Sequence, residues 1–182
     1  GAVPLELVLE NLALVLVRLG RYEETLDVCS ALADEALRFG RHAFRVSALL
    51  LRGEALHQLD ERGVAREHHR LAFELAQLHQ LSGQLGFARL ALARDRREQG
   101  QLPEARTLAL AAYEDASVRH SLRIQALAAL ELARIESTRG DCAAAHMWLD
   151  RAGDALRLPR EDGLAHRALC LLERARLRRM QS

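Results

Sequence analysis

Apolar residues recur at helical spacing along almost the whole chain, and short polar breaks interrupt them at regular intervals. The pattern predicts nine helices, at 4–18, 21–38, 42–59, 62–80, 83–99, 103–118, 121–138, 142–157 and 161–180. The breaks carry their own chemistry. Gly20, Gly40, Gly100 and Gly140 suit the left-handed position just past a helix end, which a side chain disfavours. Pro103 fits a first helical turn, where its missing N–H costs nothing. Ser121 and Asp141 can cap the helices that follow them. The stretch from Leu158 to Gly163 is a longer joint. Connections this short turn neighbouring helices antiparallel, giving four hairpins and a ninth helix.

The breaks also echo one another at an offset of 40. Gly20, Asp60, Gly100 and Gly140 fall in register, and around them small residues return. Ala133, Ala145 and Ala152 are spaced 12 then 7, as are Ala93, Ala105 and Ala112, and Gly53, Ala65 and Ala72. Ala13 begins the same series, but Thr25 and Leu32 stand where small residues belong. Small side chains at this spacing let two helix backbones approach closely and let the next pair dock. A period of this size means a stacked repeat array, in which each hairpin buries a face that only its neighbour can cover.

The three small positions resemble those of the tetratricopeptide repeat. Gly20-Arg21-Tyr22-Glu23-Glu24-Thr25-Leu26 looks like that family's inter-helix turn, and Gly100-Gln101-Leu102-Pro103-Glu104-Ala105 like a second copy. The likeness covers nearly the whole chain. It implies an all-α fold, a right-handed superhelical solenoid of antiparallel helix pairs. The array would run over residues 1–182 as one domain, with repeats at 4–40, 42–80, 82–120 and 121–158 and a terminal helix at 161–180. The chain departs from the family pattern. The usual repeat is about 34 residues, the expected early aromatic and closing Pro are missing, and Arg52 replaces a Leu. The longer repeat resembles arrays in large bacterial signalling and transcriptional regulators, of the maltose-activator and antibiotic-regulator kinds. That likeness implies a protein-interaction, sensor or scaffold role and no enzyme activity.

In the family's geometry the first helix of each pair lines a concave groove. The resemblance then puts Leu50, Glu54 and His57 in the groove from the second repeat, and Phe87, Leu90, Arg94 and Arg97 from the third. Leu130 and Arg134 follow from the fourth, and Leu172, Arg176 and Arg179 from the last helix. The leucines make an apolar rail and the arginines a cationic one. Guanidinium groups can grip carboxylates or phosphates bidentately, so the partner implied is an acidic, partly apolar peptide or protein segment. Two readings of the arginines stand: they face a partner, or they are solvated and pair with local acids such as Asp95 and Glu98.

Composition narrows the classes. The net charge is only +1, which argues against nucleic acid as the main partner, though binding of nucleic acid through the Arg-lined groove stands as the alternative reading. Lys is absent, and Ile occurs only at positions 124 and 135, as genomic GC bias in a bacterial source would give. Cys29, Cys142 and Cys170 are odd in number and far apart, which fits a reduced cytoplasmic setting. The apolar run at residues 12–17 is too short to span a bilayer, so no membrane role is expected. Helix 1 is unusually apolar for an outermost helix, which suggests homodimerisation or a missing neighbour. With Gly1-Ala2 and no Met at the start, the expectation is of a piece of a longer protein.

No metal or cofactor is expected. His68 and His69 point to different helix faces and read as a solvated surface. Cys142 with His146, and His166 with Cys170, could make a Cys2His2 set, but hairpin geometry leaves the pairs about 10 Å apart. Trp148 reads as packing between hairpins rather than as a binding hot spot.

Overall fold

The computed structural model describes residues 3–155, and these form an all-α helical repeat. Eight helices follow one another among the described residues: α1 (Leu5–Arg18), α2 (Tyr22–Arg38), α3 (His42–Gln58), α4 (Arg62–Leu78), α5 (Ser82–Glu98), α6 (Leu102–Val118), α7 (Leu122–Thr138) and α8 (Cys142–Ala155). From α2 to α7 every helix has 17 residues. The expected helix at 161–180 and the joint at Leu158–Gly163 lie outside the described residues.

One device ends each helix from α1 to α7. Gly20 has φ +75°, its N–H donates to the Val17 carbonyl, and the Arg21 N–H donates to the Leu16 carbonyl. This is a Schellman cap, which satisfies the last carbonyls of the helix. The same pair of bonds recurs at Gly40, Asp60, Gln80, Gly100, His120 and Gly140, all with positive φ. The punctuation therefore has a period of 20, half the sequence echo. Gln80 and His120 were not expected there, because neither residue signals a left-handed backbone. Helix α4 stops at Leu78 for that reason, two residues short of the expected end. At the N-termini, Asp141 caps as expected, accepting from the Ala144 N–H at 2.9 Å. Ser121 makes no side-chain cap. Pro103 sits in the first turn of α6.

The small-residue register marks the centre of each helix pair. Ala13, Thr25 and Leu32 are buried, as are Gly53, Ala65 and Ala72, then Ala93, Ala105 and Ala112, then Ala133, Ala145 and Ala152. Thr25 is tolerated inside because its hydroxyl donates to the Arg21 carbonyl at 2.8 Å. Gly53 marks a close approach of α3 to α4. A Cβ built there would lie 2.4 Å from the His69 ring and 3.3 Å from the Ala65 carbonyl oxygen.

Packing divides the chain within α5 into two compact units, Gly1–Ala91 and Leu92–Ser182. In the first, α1 packs on α2 and α3, α2 on α3, and α3 on α4. Its apolar cluster is Val46, Ala72, Ala76 and Ala88, with Leu49, Leu50, Phe73 and Leu85 against it. In the second, α7 packs on α6 and α8 around a larger cluster that includes Ala93, Ala109, Leu130, Leu132, Ile135 and Leu149. Trp148 is buried there, edge-on to Tyr113 with ring centroids 5.1 Å apart. It is a packing residue between second-type helices, as the sequence suggests. Among the described residues no helix is long and apolar enough to cross a membrane.

Candidate functional site

In the second unit the later turns of α5 and the middle of α7 bring three guanidinium groups into play. Arg97 Nε donates to Glu131 Oε1 at 2.7 Å, and Arg134 Nη1 reaches Glu131 Oε2 at 3.5 Å. Glu131 is only 5% exposed. Arg97 also lies 4.0 Å from Glu98. Arg94 is half-buried one turn earlier on α5, and Asp95 beside it is buried. The two readings of the arginine positions thus meet in one place. Arg97 and Arg134 hold an internal carboxylate, and both keep part of their surface open to solvent.

A second carboxylate on α7 is held in the same way. Glu136 is 2% exposed, and it accepts from Arg106 Nε at 2.8 Å and from Arg139 Nη1 at 2.9 Å. Two arginines neutralise each buried acid, and paired charge-assisted hydrogen bonds offset the loss of water. Sequence reasoning missed Glu131, Glu136, Arg106 and Arg139. The available signal was local: each acid interrupts an apolar helix and has an Arg three residues later.

Leu130 is 1% exposed and belongs to the core of the second unit. Its burial removes it from a solvent-facing rail, because α7 is packed on both α6 and α8 and hides most of its circumference. Leu172, Arg176 and Arg179 lie outside the described residues.

In the first unit Leu50, Glu54 and His57 come from α3, and Phe87 and Leu90 from the early turns of α5. All five are half-buried. Leu50 packs against the local core, and Glu54 accepts from Gln58 Nε2 at 3.0 Å.

The adjacent histidines require a correction. His69 is fully buried and His68 half-buried, where a solvated face was expected. The cause is Gly53, whose missing side chain leaves a notch that the His69 ring fills. Arg52, next to Gly53 on α3, stands close by. It donates to Ser30 Oγ at 3.2 Å and, through its charge, acts on both Cys29 and His68. Burial pushes the Cys29 thiol up to about 12, and Arg52 opposes this only in part. Burial holds His68 below its ordinary value, with Arg52 and His69 adding to the effect and Glu67 working against it. Such a thiol is a core residue rather than a nucleophile.

Among the described residues no group of three His, Cys, Asp or Glu side chains could hold a metal ion. Cys142 is half-buried on α8 with His146, while His166 and Cys170 lie outside the described residues. Comparison with protein-family models gives no match, and comparison with curated proteins gives none.

Proposed function

We propose that this chain is a tetratricopeptide-like interaction domain, serving as a sensor or scaffold in a bacterial signalling or transcriptional regulator. It captures an acidic, partly apolar peptide or protein segment, with Arg94, Arg97 and Arg134 as the cationic contacts in the second unit. The observation that supports this reading most is the convergence of Arg97 and Arg134 on the Glu131 carboxylate. Guanidinium groups from two first-type helices are already arranged to grip one carboxylate, and each retains exposed surface. In the first unit Leu50, Phe87 and Leu90 supply half-buried apolar surface, with Glu54 and His57 beside it.

The test is fluorescence anisotropy with labelled peptides that mix Asp or Glu with Leu, against scrambled basic controls. The chain should bind the acidic set, with affinity falling as salt rises. Replacing Arg94 and Arg134 together by Gln, which leaves Arg97 on Glu131, should abolish capture, with circular dichroism and the urea midpoint recorded alongside to separate lost binding from lost folding. Equal affinity in the substituted chain would sink the reading.

A further inference from the structure

The layer where α2, α3 and α4 meet holds polar residues at positions that the matching layer of α6, α7 and α8 fills with apolar ones. An offset of 80, two repeats on, carries Ser30 to Leu110, Arg52 to Leu132, His68 to Trp148 and His69 to Leu149. Leu132 and Leu149 are fully buried, Trp148 is nearly so, and Leu110 packs against their cluster. All four exchanges therefore fall on core positions of three successively packed helices.

Packing accounts for His69, whose ring fills the notch at Gly53. The other three are differently placed. Arg52 Nη1 donates to Ser30 Oγ at 3.2 Å, and that hydroxyl donates in turn to the Leu26 carbonyl at 3.0 Å. Ser30 thus holds the guanidinium in position but supplies no charge. Among the described residues no carboxylate pairs with Arg52, whereas Glu131 and Glu136 in the second unit each hold two arginines. Arg52 Nε and His68 Nδ1 are both closed off from solvent, and neither has a hydrogen-bond partner among the described residues. A guanidinium drawn out of water without a counter-charge is costly, and an oxyanion is the group that relieves that cost through charge-assisted hydrogen bonds. Arg52, Ser30 and His68 are each only half-buried, so the layer is reachable from the surface.

Charge narrows the class of anion. The titratable groups around Arg52 and His68 are Cys29 from α2, and Glu67 and His69 from α4. Glu67 is engaged by Arg70 at 3.0 Å, which draws its charge away. Arg52 brings one positive charge, and His68 brings a second when its ring takes up a proton. Two positive charges suit a dianion better than a single carboxylate. We propose that Arg52 and His68, with Ser30 holding the guanidinium, form a binding site for a small dianion of the phosphate class between α2, α3 and α4. The site lies within the first unit and does not rest on the partner binding assigned to Arg94, Arg97 and Arg134.

The test is a titration with inorganic phosphate at constant ionic strength, held with sodium chloride, following the Arg52 Nε–Hε and His68 ring signals by NMR. Both should move and saturate together, while the exposed Arg62 and Arg70 of α4 move little. The His68 midpoint should rise in bound phosphate, because the dianion favours the charged ring. Acetate should bind several-fold more weakly. Arg52→Leu restores the residue that stands at positions 12, 92 and 132 of the same register. It should abolish the His68 response while the urea midpoint stays equal or rises. Arg52→Gln, which keeps a polar group beside Ser30, should abolish the response in the same way. The proposal is overturned by shifts that never saturate or that are as large at Arg62 and Arg70. It is equally overturned by a His68 response that survives either substitution in the folded chain, or by acetate binding as tightly as phosphate.

Discussion

At the scale of single residues, Gly53 sets how closely α3 meets α4. Its hydrogen is the only group that fits against the His69 ring. Gly53→Ala should destabilise the chain by about 1–3 kcal/mol in urea unfolding, the usual effect of overpacking. Adding His69→Ala should recover part of that loss, because it removes the atom the new methyl group meets. Next to this notch, His68 reports on Arg52. Its folded titration point lies below the ordinary 6.5, so the fold favours the neutral ring. The stability it contributes is fully present above that ordinary value and is lost as pH falls through the lower folded one. An NMR titration should place the His68 midpoint below 6.5, and Arg52→Gln should move it upward. A downward or absent movement would show that Arg52 is not a cause. The pair of histidines also shows where sequence reading reaches its limit. Adjacent polar residues suggest a solvated face, and only the partner helix reveals that a glycine opposite makes room for one of them.

At the scale of helices, the repeating unit is a 17-residue helix closed by a Schellman cap. Four of the caps are legible as glycines, and the period of 40 is legible in the small residues. Asp60, Gln80 and His120 hide the underlying period of 20, because side chains there mask a left-handed backbone. They also hold stored cost. Gln80→Gly and His120→Gly should each raise stability by up to about 1 kcal/mol, while Gly100→Ala should lower it by about 1 kcal/mol. Urea midpoints compared at equal slope would show this. Helix α7 depends on its arginines. Replacing Arg106 and Arg139 together by Met strands the buried Glu136 carboxylate, and should cost roughly 3–5 kcal/mol. Adding Glu136→Leu to that variant should return most of the loss. The Glu136–Arg139 pair has a local signal in its spacing, but the pair with Arg106 was not legible beforehand, since a helical pattern shows that Glu136 shares α7 with apolar residues but not that Arg106 reaches it from α6.

At the scale of the whole molecule, the all-α repeat follows from hydrophobic periodicity, cap residues and small-residue spacing together, each pointing to the same helices. The candidate surface was legible less completely. The positions of Arg94, Arg97 and Arg134 came from the register, but a register cannot tell that Leu130 faces inward or that Glu131 already occupies two of the guanidinium groups. That internal carboxylate sharpens the account. Under the proposed function, an acidic partner would have to engage arginines whose charge Glu131 already partly satisfies, so affinity should be modest and salt-sensitive. Neutralising that carboxylate frees charge: Glu131→Gln should tighten binding of an acidic peptide several-fold, while basic peptides remain excluded. The most direct measurement is a titration of the chain with an acidic, Leu-containing peptide, following the Nε–Hε signals of its arginines by NMR. Saturable shifts at Arg94, Arg97 and Arg134, larger than those at the solvent-facing Arg62 and Arg70, are the predicted result. Shifts that concentrate on Arg62 and Arg70, or that never saturate, would contradict the assignment of this surface.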